Sequence, residues 1–265
     1  MKAAFRFRDV PIHYRDEGEG RALIMLHGFL ASSKLWDAQI EDLSKRYRII
    51  APDLPGHGAT PSLGYLHSME LMAELVEALM RHLGLRRVVL IGHSLGGYIS
   101  LAFAEKFTDK LKGLVLINST AAADSEARKT SRDQLIQLLP KKYDSVVRQL
   151  VDGFFVTYGP LRRNAMLRYK KWALSCEPKG VAANVRGMKA RKEREIILKF
   201  APYPYLIISG EDDPLLGLAQ SQAEADLNPQ GRLKVVEDSG HMTVLEKPWY
   251  TSRLIKRFLN SIHFS

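Results

Sequence analysis

Ser94 is the residue whose surroundings suggest chemistry most strongly. It stands at the centre of GHSLG, residues 92–96, between an apolar stretch at 88–91 and a helical pattern at 95–107. A Gly-x-Ser-x-Gly segment between a strand and a helix is typical of a nucleophile elbow, a tight turn that exposes the serine hydroxyl. We therefore predict Ser94 to be a nucleophile.

A base must accompany this serine, because its hydroxyl becomes an effective nucleophile only when the proton is removed. His241 lies after the last predicted strand, at 233–236, and before the last predicted helix, at 248–262. The loop after that strand is expected at the same edge of the sheet as Ser94. We therefore predict His241 to be the base.

The histidine in turn needs a carboxylate that fixes its tautomer and stabilises its charged form. The segment GEDDP, residues 210–214, follows a predicted strand and contains three acidic residues. The order serine, aspartate, histidine along the chain favours Asp213 over Asp212. Acids in such a turn can also be solvated or cap the next helix, which is the alternative interpretation.

A tetrahedral intermediate also needs hydrogen-bond donors for its oxyanion. The backbone N–H of Leu95, directly after the nucleophile, is the first candidate. The second is expected in the loop HGFL, residues 27–30, after an apolar stretch at 22–26, and we assign it to the backbone N–H of Phe29. An ordinary strand-to-helix turn is the alternative interpretation of this loop.

The elements that must position these groups alternate between short apolar runs and helical patterns, which indicates an α/β fold with a parallel sheet wrapped by helices. The first 16 residues alternate apolar and polar side chains and predict a pair of strands. Between residues 120 and 199 the pattern is helical without a buried strand. We therefore predict a core of residues 1–119 and 200–265, interrupted by a helical insert of residues 120–199.

The formal net charge of +10 is concentrated in the helical insert. The insert holds 18 Lys and Arg against 8 Asp and Glu, an excess that equals the net charge of the whole chain. Such a field favours anionic ligands or surfaces. A solvated helical surface rich in Lys and Arg is the simpler interpretation.

The composition of the chain argues against several other classes of protein. The single cysteine, Cys176, excludes an internal disulfide, and no apolar run approaches the roughly 20 residues that span a bilayer. The sequence contains no zinc-ligand spacing and no nucleic-acid motif. We expect a cytoplasmic protein with no transmembrane segment, cofactor, metal or nucleic-acid partner. The sequence does not indicate an oligomeric state.

Several segments together resemble the α/β-hydrolase superfamily over essentially the whole chain. The matching segments are HG at 27–28, DLPGHG at 53–58, GHSLGG at 92–97, GEDD at 210–213 and GH at 240–241. The resemblance implies a mostly parallel eight-stranded sheet flanked by helices, with the helical insert as a cap over the active site. It also supports Asp213 as the acid, because the family places that residue three positions after the glycine.

The chain departs from the family pattern at two positions. Many members carry glycine where this chain has Leu30, and proline where it has Gly217. Both differences affect the shape of the pocket more than the triad. Because the nucleophile is serine, the family's dehalogenases and epoxide hydrolases, which use aspartate, match poorly.

The resemblance implies a carboxylesterase-like serine hydrolase that cleaves a small-molecule ester through an acyl-enzyme. One alternative is a lyase like that of menaquinone biosynthesis, which acts on an anionic substrate. The helical insert offers five arginines for such an anion: Arg128, Arg132, Arg162, Arg163 and Arg168. A second alternative is a small-molecule receptor that keeps the triad and signals through the cap.

Overall fold

A single eight-stranded sheet forms the centre of the molecule, in the strand order β1-β2-β4-β3-β5-β6-β7-β8. The computed structural model describes residues 2–155 and 160–262, so parts of the predicted insert and both ends of the predicted core lie outside the described residues. β2 runs antiparallel to β1 and β4, and the other neighbouring strands are parallel. The mostly parallel eight-stranded sheet is thus confirmed. The strands are β1 Lys2–Phe7, β2 Val10–Glu17, β3 Arg21–Leu26, β4 Tyr47–Pro52, β5 Val88–His93, β6 Leu111–Ile117, β7 Tyr205–Gly210 and β8 Gly231–Val236.

The central strands are apolar along their whole length because helices cover both faces of the sheet. Every residue of β5 is buried, whereas the edge strand β8 buries little beyond Val236. The helix after β4 begins at the N-cap Ser68, whose hydroxyl accepts the backbone N–H of Leu71 at 3.1 Å, and it ends before Gly84 at a φ of 67°. The helices outside the insert are α1 Asp37–Leu43, α2 Met69–His82, α3 Leu95–Lys106, α8 Leu218–Asp226, α9 Thr243–Glu246 and α10 Pro248–Ser261.

The helical insert enters the chain between β6 and β7. Its described residues form four helices and no strand: α4 Glu126–Asp152, α5 Pro160–Leu174, α6 Pro178–Lys189 and α7 Glu195–Lys199. α4 is kinked at Lys142, where φ is −142° and ψ is 43°. The cause is Pro140, because proline removes a backbone donor and its ring collides with the preceding turn. No described helix is both long and apolar enough to cross a membrane.

α6 seats the insert directly on the backbone of the core. A methyl group on Gly187 would lie 1.7 Å from the carbonyl oxygen of His67, and one on Gly180 would lie 2.4 Å from Cα of Gly56. Asn184, between these glycines, donates to the carbonyl of Pro55 at 2.8 Å. The absence of side chains therefore permits this close approach of α6 to the core.

Candidate active site

The turn between β5 and α3 holds Ser94 in an unusual backbone conformation, with φ of 50° and ψ of −113°. Positive φ is unfavourable for residues other than glycine. The turn closes because its neighbours lack side chains: a methyl group on Gly96 would lie 2.1 Å from the Leu26 carbonyl oxygen, and one on Gly92 would lie 2.4 Å from the Gly96 carbonyl oxygen. The strained turn sets Ser94 at the carboxyl end of β5, directly before the first turn of α3.

The structure brings the three predicted side chains into one hydrogen-bonded line. The Ser94 hydroxyl lies 2.9 Å from Nε2 of His241. On the other side of the ring, Nδ1 lies 2.9 and 3.1 Å from the two carboxylate oxygens of Asp213. Asp212 is exposed, whereas the side chain of Asp213 is fully buried. The contact with the imidazole thus belongs to Asp213.

Asn118 is a member of this cluster that the sequence analysis missed. It directly follows β6, and its side-chain amide donates to Asp213 at 2.9 Å and to the Gly240 carbonyl at 3.1 Å. The sequence offered one signal for Asn118, namely that it is a polar residue directly after a buried strand. Neighbouring parallel strands end at the same edge of the sheet, so such a residue lies near Ser94 and Asp213. Asn118 joins the acid to the loop that carries His241.

Asp213 is favoured in its ionised form. Burial opposes ionisation, but the charge of His241 and the hydrogen bonds from His241 and Asn118 outweigh it, so the pKa of Asp213 lies below its ordinary value. The backbone N–H of Leu215 donates a further hydrogen bond to the same carboxylate at 2.8 Å. The carboxylate is therefore suited to accept from Nδ1 and to leave Nε2 free for the serine proton.

His93 supports the backbone of His241. Its ring is buried, and Nε2 lies 2.9 Å from the carbonyl oxygen of His241. Burial, followed by the charge of His241, lowers the pKa of His93 to about 3, so the ring is neutral at ordinary pH. A neutral ring that donates from Nε2 to this carbonyl has a packing and hydrogen-bonding role rather than a reactive one.

The two predicted oxyanion donors lie beside the nucleophile. Leu95 is the first residue of α3, so its backbone N–H has no acceptor within the helix. A methyl group on Gly28 would lie 3.4 Å from Cβ of Ser94, so the loop that carries Phe29 passes directly beside the serine. Within residues 2–155 and 160–262, no hydrogen-bond acceptor takes the N–H of Phe29 or of Leu95. Their role in stabilising an oxyanion stays a prediction.

Two aromatic side chains clamp the peptide unit between Phe29 and Leu30. Its carbonyl oxygen accepts the Tyr169 hydroxyl of α5 at 2.5 Å, and its N–H donates to Nε2 of His57 at 3.0 Å. Burial holds the pKa of His57 well below its ordinary value, so Nε2 is available as an acceptor. Leu30 adopts a φ of 63°, the left-handed region that favours glycine, which accounts for the glycine expected from the family pattern.

A cavity of about 260 Å³ opens beside Ser94 and His241. Its walls come from both the core and the helical insert, and they are mostly apolar. The core contributes Phe29, His93, Ser94, Tyr98, Leu215, Leu216 and His241, and the insert contributes Arg128, Ser131, Arg132, Leu135, Leu150, Phe154, Tyr169 and Met188. Ser94, His241 and the helical insert thus line one small chamber.

The five arginines proposed from sequence divide into two groups. Arg128 and Arg132 line the cavity. Arg162 instead pairs with Asp238 at 2.7 Å, and Arg163 and Arg168 are exposed on α5. Among the described residues, no cluster of His, Cys, Asp and Glu is arranged to hold a metal ion.

The sequence and the fold identify the family of this chain. A sequence model of the alpha/beta hydrolase fold family matches residues 21–248, and the chain belongs to that family. Among its relatives, a non-heme haloperoxidase of Rhodococcus erythropolis is 31% identical over 87% of this chain and 89% of the relative. A protein of Bacillus subtilis, provisionally named 2-succinyl-6-hydroxy-2,4-cyclohexadiene-1-carboxylate synthase, is 26% identical over 93% of this chain and 94% of the relative.

A solved structure extends the similarity to three dimensions. The thermophilic esterase of Thermogutta terrifontis, determined with malate bound, superposes with a TM-score of 0.93 and is 28% identical, with 98% of each chain covered. Together with the family match, this similarity supports a hydrolase.

Proposed function

We propose that this chain is a serine hydrolase that cleaves an ester-like bond in a small molecule. In this proposal Ser94, His241 and Asp213 form the catalytic triad, and the backbone N–H groups of Phe29 and Leu95 form the oxyanion hole. The observation that carries the proposal is the continuous hydrogen-bonded line from hydroxyl to imidazole to buried carboxylate, at the wall of a cavity. Such a line is what nucleophilic catalysis by serine requires.

Acylation begins when the Ser94 oxygen attacks the carbonyl carbon and Nε2 of His241 takes its proton, a transfer for which their 2.9 Å separation is suitable. The ionised Asp213 stabilises the imidazolium that results. The backbone N–H groups of Phe29 and Leu95 stabilise the negative charge on the former carbonyl oxygen. The fold holds both groups in place, so they do not have to reorient as the charge develops. As the tetrahedral intermediate collapses, the alkoxide or phenoxide leaves with the proton from Nε2, and the acyl group remains on Ser94.

Deacylation repeats these steps with water as the nucleophile. Nε2 of His241, now neutral, takes a proton from water, whose oxygen attacks the acyl carbon. The second tetrahedral intermediate collapses, the bond to Ser94 breaks, and the serine oxygen recovers its proton from the imidazolium. The acid product then leaves the cavity, and the triad returns to its starting protonation state.

The helical insert, residues 120–199, acts as a cap in this proposal, over a core of residues 1–119 and 200–265. Two observations support the assignment: eight insert residues contribute to the cavity wall, and the Tyr169 hydroxyl reaches the backbone of the loop carrying Phe29. The insert thereby limits both the size of the substrate and the access of water. The esterase of Thermogutta terrifontis supports ester chemistry through its similarity across the whole chain.

The decisive test is turnover of p-nitrophenyl butyrate by the wild type and by Ser94→Ala. We expect the variant to lose at least about 10⁴-fold in kcat, because the nucleophile itself is removed. Ser100→Ala is a matched control: it removes a buried hydroxyl from α3 that bonds the Gly96 carbonyl at 2.8 Å and does not line the cavity. Wild-type rates in Ser94→Ala would refute the proposal.

A fluorophosphonate probe gives a second readout of the same claim. The probe should label wild-type protein, peptide mapping should place the label on Ser94, and Ser94→Ala should stay unlabelled. Rapid turnover of several simple esters would also exclude the receptor hypothesis, since a receptor binds its ligand tightly and turns it over slowly.

A lyase is the second candidate function, supported by the Bacillus subtilis relative and by the two arginines in the cavity. The same serine, histidine and aspartate would then act on an anionic substrate of menaquinone biosynthesis. Release of pyruvate from that pathway's intermediate, measured with a coupled dehydrogenase, tests this candidate. Absence of pyruvate release, together with rapid ester turnover, would exclude the lyase function and support the esterase function.

A further inference from the structure

Two guanidinium groups of α4 face the same cavity as the nucleophile. Arg128 and Arg132 are four residues apart on this helix, so they lie on one face of it, and both line the chamber that contains Ser94 and His241. The cavity wall contains no aspartate or glutamate among the residues that the structure describes. The chamber is therefore apolar apart from the histidines, the hydroxyl groups and these two cations.

The charge of this wall is incompletely balanced. The buried carboxylate of Asp124 pairs with Arg132 and, at 2.6 Å, with Arg191. Arg191 is itself 2% exposed, and its guanidinium carbon lies 4.1 Å from the ring centroid of Tyr98, another cavity residue. One carboxylate thus serves two guanidinium groups, which leaves one positive charge beside the cavity.

Arg128 adds a second positive charge. Its guanidinium donates to the carbonyl oxygen of Leu215 at 2.5 Å, and among the described residues no carboxylate lies within ion-pair distance of it. The hydrogen bond fixes the side chain against the segment that follows Asp213. Arg128, Arg132 and Arg191 thus carry three positive charges against the single carboxylate of Asp124. This excess of two charges lies at the cavity wall and directly behind it, next to apolar surface where charges interact strongly.

The other arginines that the sequence suggested for anion binding are used differently. Arg162 pairs with Asp238, which Lys247 also contacts, and it does not line the cavity. Arg163 and Arg168 are exposed. Only a small part of the positive charge of the insert therefore faces the cavity. That part, and not the exposed remainder, is in a position to contact a molecule held against Ser94.

Resting on the proposed esterase function, we propose that the substrate is a short ester whose non-reacting end is a carboxylate, bound by Arg128 and Arg132. The carboxylate supplies the negative charge that the wall lacks, and the planar guanidinium matches carboxylate geometry in two-point hydrogen bonds. The volume of about 260 Å³ lies below the usual range for ligand pockets, which favours a short chain. Half-esters of small dicarboxylic acids have this chemistry.

The test compares two esters of equal acyl length, mono-p-nitrophenyl glutarate and p-nitrophenyl valerate, which differ in a terminal carboxylate against a methyl group. We expect the wild type to prefer the glutarate ester in kcat/KM, mainly through KM. Arg128→Gln and Arg132→Gln should each lower kcat/KM for the glutarate ester by about 10-fold to 100-fold. Both variants also alter the wall of the chamber, so the readout is the ratio of kcat/KM between the glutarate and valerate esters, which should fall by a similar factor.

Arg163→Gln and Arg168→Gln are matched controls, because they remove the same charge from exposed positions of the same insert. Both should keep the preference of the wild type. If the two control variants lose as much of the preference for the glutarate ester as Arg128→Gln and Arg132→Gln do, the proposal is wrong, and the preference comes from the overall positive charge of the insert. Arg132→Lys provides a second variant if loss of the Asp124 pair impairs folding: it keeps a cation but not the two-point geometry, and an intermediate preference is expected.

Binding of glutarate itself separates this proposal from the esterase function. Isothermal titration with glutarate at fixed ionic strength should show binding to the wild type and weaker binding to Arg128→Gln, whether or not esters are turned over. If p-nitrophenyl valerate is hydrolysed through Ser94 but glutarate neither binds nor is preferred as an ester, this inference is wrong and the esterase function stands. If glutarate binds but no ester is cleaved, the esterase function is wrong instead.

Discussion

Asp213→Asn is the most informative change to the candidate active site, because four donors converge on the carboxylate that it replaces. These donors are Nδ1 of His241 at 2.9 Å, the amide of Asn118 at 2.9 Å, and the backbone N–H groups of Leu215 at 2.8 Å and Leu216 at 3.2 Å. An asparagine offers one oxygen and one NH₂ group, so in either orientation the NH₂ group faces a donor. The arrangement can be relieved if the imidazole moves its proton to Nε2.

That relief would remove the base. An imidazole protonated at Nε2 cannot accept the proton of Ser94, although their 2.9 Å separation can persist. We therefore expect kcat to fall by about 10⁴-fold with little change in KM. The unfolding free energy should also fall by about 1–3 kcal/mol, because the buried donors lose a charged acceptor.

The assay is steady-state hydrolysis of p-nitrophenyl butyrate, with folding checked by circular dichroism and thermal melting. Asp212→Asn is the matched control, since it makes the same chemical change at the adjacent, exposed position. We expect this control to keep wild-type kcat. An active Asp213→Asn beside an inactive Asp212→Asn would refute the reasoning and reverse the choice of acid.

Three further predictions concern the surroundings of the site. Burial lowers the pKa of His67 to about 4, so near pH 6.5 the unfolded chain binds a proton that the folded state excludes. His67 alone should therefore lower the unfolding free energy by about 2 kcal/mol between pH 7 and pH 5, in addition to the contribution of other buried histidines such as His93. His67→Gln should remove this part of the pH dependence in urea denaturation at the two pH values; an unchanged difference would contradict it. Gly187→Ala should lower the melting temperature by several degrees, since its methyl group overlaps the core backbone, whereas Gly217→Ala, at an open position with φ of −76°, should not. Tyr169→Phe should lower kcat by roughly 10-fold, because it removes the hydrogen bond to the Phe29 carbonyl in the loop that carries the Phe29 N–H. This effect is smaller than the one expected from removing an oxyanion donor itself. A kcat equal to that of the wild type would show that the Tyr169 hydroxyl does not position this loop.

The fold and the three candidate catalytic residues were accessible from sequence because each depends on a local pattern. An apolar strand followed by a glycine-flanked serine specifies its own turn, and Gly84 marks the end of α2 at a positive φ. Parallel strands then align their carboxyl ends, so loops that are distant in sequence meet. These rules suffice to bring Ser94, Asp213 and His241 to one edge of the sheet.

Features that depend on the direction of side chains could not be predicted from the sequence. The preference for Asp213 over Asp212 rested on chain order and family pattern, whereas the structure separates them by burial. Asn118 has no motif, because its role comes from two partners about 100 positions away in sequence. The five arginines of the insert look alike in sequence, and helix packing alone decides that Arg128 and Arg132 turn inward.

The clamp on the peptide between Phe29 and Leu30 has a consequence for how the chamber works. Its carbonyl oxygen is bound by Tyr169 of the helical insert, and its N–H is bound by His57 of the core. If the insert acts as the proposed cap and moves away to admit a substrate, the bond from Tyr169 breaks, and the loop that carries the proposed oxyanion donor Phe29 loses one of its two anchors. In this proposal both anchors hold the oxyanion donor only when the insert lies against the core, so a bound substrate should react fastest in the closed arrangement.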